Sequence, residues 1–176
     1  MDSLTKEKRS WNMSRVRSQD TRPEMIVRSF LHRNGFRFRL HVKNLPGHPD
    51  IVLPKYKTII EVRGCFWHRH PGCKKTTMPS ANADFWQKKF AENVERDIHT
   101  EHALKSLGWT VLVVWECETK SFGKQTALAA KICDELKPTI WPGHNTLSYP
   151  LFSHTNHSKK CNWNKMAGGQ YGNKKN

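Results

Sequence analysis

The chain has 176 residues and a formal charge of +15, from 30 lysine and arginine residues against 15 aspartate and glutamate residues. An excess of this size indicates a polyanionic partner, most often nucleic acid, and a small acidic substrate would not require it. Basic residues alternate with tryptophan and phenylalanine, a pattern that favours contacts with DNA over a surface charged only for solubility. Without a membrane-spanning apolar run or a signal peptide, we expect a soluble, cytoplasmic protein with no membrane association.

The pattern of apolar residues predicts one α/β domain between two basic extensions. Residues 1–20 form an expected DNA-contacting arm, either a short helix or a disordered segment before binding. Residues 21–143 contain the periodic segments, and residues 144–176 form a basic tail without periodicity. The low apolar fraction of 36% agrees with a compact core and long extensions.

The first predicted elements are a helix and three short strands. Thr21 offers an N-cap for a helix that ends at Asn34-Gly35. Apolar and basic residues then alternate over 36–41, which is typical of a strand with one buried face. Residues 50–53 and 58–62 predict two further strands.

A long helix, a buried strand and a short helix follow. Residues 84–107 place Phe85, Phe90, Ile98 and Leu107 on one broad helical face. Residues 109–115 form an apolar, β-branched run, as expected of a strand buried on both faces. Residues 127–136 predict the last helix.

The segment from Glu61 to Cys73 combines thiols, imidazoles and two large aromatic side chains. Cys65, His70 and Cys73 have the spacing and softness of zinc ligands. A structural site needs a fourth ligand, and Cys117 is the natural candidate because it directly follows the predicted buried strand. Five cysteines are an odd number, which favours metal ligation over a disulfide framework, although unrelated buried thiols are an alternative.

Acidic residues at predicted strand ends form a second group. Asp50 begins one strand, and Glu61-Val62-Arg63 ends the next. Carboxylates that meet at one edge of a sheet can hold a hard divalent cation near a phosphodiester, although these residues can also be ordinary strand-face charges. Helix, three strands, helix, strand is also the element order of many metal-dependent nucleases, with Glu24 near the start of the first helix.

His68 and Asp97 form a third candidate group. A histidine that transfers protons benefits from a carboxylate that fixes its tautomer. Asp97 lies on the predicted long helix, from which it can reach the loop that carries His68. As an alternative, Asp97 is a solvated helix charge, and sequence distance alone does not decide between the two.

These motifs together resemble the very short patch repair (Vsr) endonucleases, with similarity from about residue 8 to residue 136. The order and spacing of five motifs carry the resemblance. They are Gly47-x-Pro49-Asp50, Gly64-Cys65-Phe66-Trp67-His68-Arg69-His70-Pro71-Gly72-Cys73, Phe85-Trp86 with Lys88-Lys89-Phe90, Asn93-x-x-Arg96-Asp97, and Gly108-Trp109-x-Val111-x-x-x-Trp115-Glu116-Cys117.

The resemblance implies a PD-(D/E)xK restriction-endonuclease-like core, a mixed sheet flanked by helices, with a structural zinc ion. It implies a magnesium-dependent nick beside the thymine of a T:G mismatch, the product of 5-methylcytosine deamination. By position, Asp50 and the carbonyl of Val62 would bind Mg²⁺, and Glu24 would support that site through water. His68 and Asp97 would transfer protons. The implied zinc ligands are Cys65, His70, Cys73 and Cys117.

The same resemblance implies how the protein meets DNA. Phe66, Trp67 and Trp86 would enter the base stack from the major groove, while the N-terminal arm holds the minor groove. Unstacking costs least at a mismatch, so rigid aromatic residues convert weak pairing into selectivity. The expected partners are T:G-mismatched duplex DNA, a cytosine-5 DNA methyltransferase in functional association and mismatch repair proteins, with the enzyme itself a monomer.

Arg63 departs from the family pattern, which often has histidine before Gly64. Arginine does not act as a base near neutral pH, but it can stabilise a pentacovalent phosphorane, so we predict a catalytic role for Arg63. Glu61-Val62-Arg63 also approaches the acid-x-lysine motif of the wider nuclease group. Two alternatives therefore remain open: a Vsr-like restriction endonuclease that cuts paired DNA, and a zinc-containing DNA-binding module without catalysis.

Overall fold

The computed structural model describes residues 5–15, 17 and 19–136 of the chain. The tail predicted at residues 144–176 lies outside this range, as do residues 1–4, 16 and 18 of the predicted arm. Within the described part, no helix is both long and apolar enough to cross a membrane.

The described residues form four α-helices and one four-stranded mixed sheet. The sheet order is β1-β2-β3-β4, with antiparallel pairs β1/β2 and β2/β3 and a parallel pair β3/β4. Two 3₁₀ helices, Pro54–Tyr56 and Glu116–Thr119, follow β2 and β4. The elements are α1 (Lys6–Ser14), α2 (Arg22–Arg33), β1 (Arg39–Leu40), β2 (Ile51–Leu53), β3 (Thr58–Arg63), α3 (Ala83–Ser106), β4 (Thr110–Trp115) and α4 (Phe122–Glu135).

Helices cover both faces of this sheet. Side chains that alternate along each strand separate into two apolar clusters, as the pleat of a strand requires. The larger cluster packs α2 and α4 against one face and includes Phe30, Ile60 and Ile132. The smaller cluster joins Val52, Ile59 and Leu104 of α3 on the other face. This arrangement confirms a mixed sheet flanked by helices, whereas the nuclease-type core stays a prediction.

The predicted boundaries of α2 are confirmed. Thr21 is its N-cap, and the Glu24 carboxylate accepts hydrogen bonds from the Thr21 hydroxyl at 2.7 Å and the Thr21 N–H at 3.4 Å. Such a capping box satisfies N–H groups that the first turn leaves without partners. At the other end, Asn34 is the C-cap and Gly35 adopts a φ of +78°, which ends the helix.

Three predicted elements differ from those observed. Only Arg39 and Leu40 of the strand predicted at 36–41 pair with β2, although Phe36 is buried. The expectation that β4 is buried on both faces is wrong, because Leu112 and Val114 are buried on one face, whereas Val111, Val113 and Trp115 on the other face are only partly buried. The last helix begins at Phe122 rather than at residue 127.

The predicted apolar face of α3 is also wrong. Phe90 and Leu104 are buried, but Phe85 and Ile98 are 61% and 63% exposed. The middle of the inward side is polar instead, since Asp97 there lines a cleft. A helix that forms the wall of a solvent-filled cleft does not need a continuous apolar stripe.

Candidate functional site

A cleft of about 710 Å³ lies at the end of β3. The start of α2, the loop before β2, the loop after β3 and the inward side of α3 form its walls. Sequence-distant groups therefore meet in one open cavity. The predicted site residues that line it are Glu24, Asp50, Val62, Arg63, Trp67, His68 and Asp97.

Asp50 directly precedes β2 and lies opposite the C-terminal end of β3. Its Oδ2 accepts a hydrogen bond of 2.9 Å from the Val62 N–H. Burial raises the pKa of Asp50 to about 6, the negative charges of Glu24 and Glu61 act in the same direction, and the Val62 hydrogen bond opposes them. A carboxylate that is costly to ionise and faces a cleft is a good acceptor for a cation, because the cation compensates its charge.

His68 and Asp97 are brought together across 29 residues of sequence. His68 Nδ1 lies 2.5 Å from Asp97 Oδ2. Since an ionised carboxylate only accepts hydrogen bonds, this contact places the ring proton on Nδ1 and leaves Nε2 as the basic nitrogen. The side chains are 25% and 14% exposed, so the pair is partly shielded but open to the cleft.

Arg63 is the last residue of β3, and its guanidinium lies close to three carboxylates. Its Nε donates to Glu61 Oε2 at 3.0 Å, and Nη2 makes a short contact with the same oxygen. Nη2 also lies 3.7 Å from Glu101 Oε2, and Nε lies 4.0 Å from Asp97 Oδ2. The guanidinium is therefore held among acids rather than directed freely into the cleft.

Glu24 is buried at the edge of the cleft, with 2% of its surface exposed. Its carboxylate is the N3 side of the α2 capping box, and Oε2 accepts from the Asp20 N–H at 3.0 Å and from Arg28 Nη2 at 2.8 Å. These contacts fix Glu24 in place.

A second cluster lies on the other side of the loop after β3. The ligand atoms of Cys65, His70, Cys73 and Cys117 all lie within 4.8 Å of one another. His70 Nδ1 is 3.6 Å from Cys65 Sγ and 3.4 Å from Cys117 Sγ. With Zn–S near 2.3 Å and Zn–N near 2.0 Å, tetrahedral ligands lie roughly 3.5–3.8 Å apart, so the donor set fits a zinc ion.

The surroundings of this cluster also suit a metal ion. Burial raises the pKa of the Cys65 thiol to about 12, so binding of a cation must replace its proton. The His70 ring stacks on Trp115, with the centroids 4.1 Å apart and the planes 3° from parallel. This stacking fixes the imidazole plane. The Thr76 hydroxyl donates to the His70 carbonyl at 2.8 Å and secures its backbone.

The three predicted wedge residues form one aromatic cluster beside the cleft. The centroid of Phe66 lies 5.2 Å from Trp67, 5.6 Å from Trp86 and 5.0 Å from Phe90. Trp67 and Trp86 are 5.9 Å apart. Mutual edge and tilted contacts make the group rigid, as a wedge in a base stack requires.

Two residues with contacts at the site were given no role from the sequence, although Asn93 belongs to one of the motifs that carry the resemblance. Asn93 is buried, and its Nδ2 donates to the Trp67 carbonyl at 3.2 Å, which ties α3 to the aromatic loop. Glu101 lies one helical turn after Asp97 and reaches Arg63. The signal available was the i, i+4 spacing of Asp97 and Glu101, which places both carboxylates on one side of a helix.

Comparison with known proteins identifies the family. The model of the DNA mismatch endonuclease Vsr family matches residues 1–75. The chain is 47% identical over 138 residues to the Type II nicking enzyme V.XorIIP of Xanthomonas oryzae pv. oryzae, covering 78% of this chain and 98% of that protein. The chain belongs to the Vsr endonuclease family. The predicted resemblance is therefore confirmed, and the protein is a DNA endonuclease whose partner is DNA.

Two further relatives extend this assignment across bacteria. Type II nicking enzyme V.NmeAIP of Neisseria meningitidis is 48% identical over 120 residues, which is 68% of this chain and 85% of that protein. DNA mismatch endonuclease Vsr of Escherichia coli is 40% identical over 125 residues, which is 71% of this chain and 80% of that protein. The Vsr-family chain described here thus shares most of its length with each of them.

Proposed function

We propose that this Vsr-family endonuclease nicks one strand of duplex DNA beside the thymine of a T:G mismatch, by magnesium-dependent hydrolysis of a phosphodiester. One observation carries the proposal: Asp50, the His68–Asp97 pair and Trp67 of the aromatic cluster face a single cleft. A cation acceptor, a proton-transfer pair and a wedge for the base stack are the three parts that such a reaction needs.

Asp50 and the backbone carbonyl of Val62 are the proposed Mg²⁺ ligands. Val62 N–H occupies Oδ2 of Asp50, which leaves Oδ1 to coordinate a cation. Both donors are hard oxygen atoms, as Mg²⁺ prefers, and Glu24 supports the site through water. When bound, Mg²⁺ stabilises negative charge on the phosphate oxygens and makes a bound water more acidic.

His68 and Asp97 are the proposed proton-transfer pair. Asp97 holds the proton on Nδ1 and stabilises the imidazolium that forms when Nε2 takes a proton from the attacking water. The water oxygen forms a bond to phosphorus while the bond to the leaving oxygen breaks, and that oxygen takes up a proton. Arg63 adds a fixed positive charge beside this pair.

The remaining proposed roles are structural or concern recognition. Zinc bound by Cys65, His70, Cys73 and Cys117 would hold the loop after β3 against the segment after β4. Phe66, Trp67 and Trp86 would enter the mismatched step from the major groove, and the arm at residues 1–20 would hold the minor groove. Helix α1 of that arm exposes Trp11, with Arg15 stacked 4.1 Å above its ring. Such a pair suits contact with a nucleic acid surface.

The proposed biological setting follows from the substrate. T:G mismatches arise where 5-methylcytosine deaminates, so the enzyme would work on nucleoid DNA as a monomer, in functional association with a cytosine-5 DNA methyltransferase and with mismatch repair proteins. The proposed domain division is an arm at 1–20, an endonuclease domain at 21–143 and a tail at 144–176.

The decisive experiment compares three labelled duplexes with identical flanks: one with a T:G mismatch, one fully paired and one paired with 5-methylcytosine. A pool of randomised flanking sequences removes dependence on context, and each duplex is incubated with Mg²⁺ or with EDTA. We expect Mg²⁺-dependent nicking of the T:G duplex alone. Cuts in both strands of paired DNA would instead identify a restriction enzyme, and binding without any cut would identify a DNA-binding module.

One observation favours strand nicking over restriction. Two relatives, which match 78% and 68% of this chain, are named Type II nicking enzymes. These names belong to the relatives, and the length that they share with this chain makes a one-strand cut the better proposal for it.

A further inference from the structure

One side of α3 contacts three separate segments of the cleft. Asp97 contacts His68 in the loop after β3, and Glu101 reaches Arg63 at the end of β3. Thr100 lies against Gly47, so closely that a Cβ at Gly47 would stand 2.3 Å from the Thr100 methyl group. Helix α3 therefore sets the spacing between the segments that carry the proposed catalytic groups.

Arg63 lies among the carboxylates of Glu61, Asp97 and Glu101. The edge of its guanidinium formed by Nε and Nη2 is occupied by Glu61 Oε2, with Glu101 next to Nη2 and Asp97 next to Nε. This edge is one of the two that bind a phosphate in a bidentate manner. Because only 12% of the Arg63 side chain is exposed, the guanidinium has little freedom to turn toward DNA.

The same oxygen of Asp97 faces both Arg63 and His68. Without a cation in this position, the carboxylates of Glu61, Asp97 and Glu101 would repel one another and separate. Movement of Asp97 would change the orientation of the imidazole that it holds. A displacement of about 1 Å at a catalytic group is enough to slow a reaction considerably.

We infer that Arg63 is a positioning residue: clamped by Glu61 and Glu101, it holds Asp97 in the place from which Asp97 orients His68. This role replaces direct contact between Arg63 and the phosphate. It makes Glu61 and Glu101 part of the machinery of the site, and it rests on the proposed function only for the roles of His68 and Asp97.

The test separates rate from binding. Single-turnover nicking at saturating enzyme gives the rate of the bound complex, and a separate titration gives the Kd for the duplex. For Arg63→Met we expect the rate to fall about 10–100-fold, as for the loss of a group that orients a general base. The Kd should stay within about twofold, because a clamped guanidinium adds no phosphate contact. Arg63→Lys should recover part of the rate by restoring a charge.

Non-additivity gives the second readout. If Arg63 acts through Asp97, the double variant Arg63→Met/Asp97→Asn should be no slower than Asp97→Asn alone. Glu101→Gln should also reduce the rate. It replaces Arg63→Met in the test if Arg63→Met does not fold. The matched controls are Arg33→Met at the exposed end of α2 and Glu95→Gln, whose side chain is 75% exposed on α3. Both should leave the rate unchanged.

Two results would overturn the inference. Binding at least about tenfold weaker for Arg63→Met would show that Arg63 contacts a phosphate, provided that the slope of log K against log salt concentration also falls by about one. Additive losses in the double variant would show that Arg63 acts independently of Asp97.

Failure of the proposed function is recognised separately. If the wild type cuts paired DNA instead of the T:G duplex, the same variants are compared on that substrate. If it cuts nothing, the imidazole signals of His68 in a ¹⁵N NMR spectrum report its hydrogen bond without any reaction. Those signals should change in Arg63→Met and not in Arg33→Met, and unchanged signals in both would overturn the inference.

Discussion

The Cys/His cluster and the carboxylate cleft share one loop but differ in construction. His70 of that loop faces the cluster, where four ligand atoms lie within 4.8 Å of one another. His68, two residues earlier, faces the cleft of about 710 Å³. A closed set of four protein donors leaves no position for a substrate, whereas an open cleft with few ligands does. In the proposed function, the cluster would stabilise the loop and the cleft would perform the reaction.

The largest expected effect is loss of stability when the metal of the Cys/His cluster is removed. Structural zinc contributes to folding directly, so we expect chelation to lower the free energy of unfolding by about 5 kcal/mol or more. Cys117→Ser should have a similar effect, because it removes the ligand that joins the segment after β4 to the loop. Thermal unfolding followed by circular dichroism measures both.

The control for this prediction is chelation of the Cys117→Ser variant. Chelator should lower its melting temperature little further, since both treatments remove the same metal. A wild-type melting temperature that does not respond to chelator would contradict a structural metal in the cluster.

The second effect concerns the cleft alone. Asp50→Asn removes the charge of the proposed Mg²⁺ ligand, and we expect the nicking rate to fall about 1,000-fold, or several kcal/mol in barrier. Duplex binding should be retained, because the basic surface is unchanged. Asp84→Asn, at the exposed start of α3, is the matched control. Equal nicking by Asp50→Asn and the wild type would remove Asp50 from the mechanism.

The third effect is a pH-dependent gain in the stability of Asp50→Asn over the wild type, measured without Mg²⁺. Folding raises the pKa of Asp50 from 3.8 to about 6, so the folded state binds this proton more tightly than the unfolded state. The stability of the wild type therefore falls as pH rises from 3.8 to about 6, and the full cost remains above that range. Asp50→Asn should be more stable by about 1–3 kcal/mol at pH 8 and equal at pH 3.

Urea unfolding at the two pH values measures this difference. Added Mg²⁺ should reduce it, because only the wild type gains stability from binding the ion. A difference that is the same at both pH values would show that burial does not raise the pKa of Asp50.

The smallest effect concerns the aromatic cluster that borders the cleft. Trp67→Ala should reduce the preference for T:G over paired DNA by about tenfold, because a wedge is most effective where unstacking costs least. Competition between the two duplexes in one reaction measures the ratio. Phe122→Ala, a change at an aromatic residue that is 58% exposed on α4, is the control. An unchanged ratio in Trp67→Ala would exclude the wedge.

Sequence alone predicted the features that depend on neighbouring residues. The N-cap of α2 at Thr21, the Asn34-Gly35 helix end and the spacing of Cys65, His70 and Cys73 act within a few residues, so a local pattern is enough to identify them. The family resemblance added the roles expected of Asp50, His68 and Asp97, and these stay predictions.

Tertiary structure decided which distant residues meet. The parallel register pairs Arg63 with Trp115 at the ends of β3 and β4, and Cys65 and Cys117, each two residues further on, meet in the Cys/His cluster. The position of α3 across the sheet brings Asp97 into contact with His68 and Glu101 near Arg63. The same position exposes Phe85 and Ile98, which the helical periodicity had predicted to be buried. Strand register and helix placement depend on packing of the whole core, which no local pattern contains.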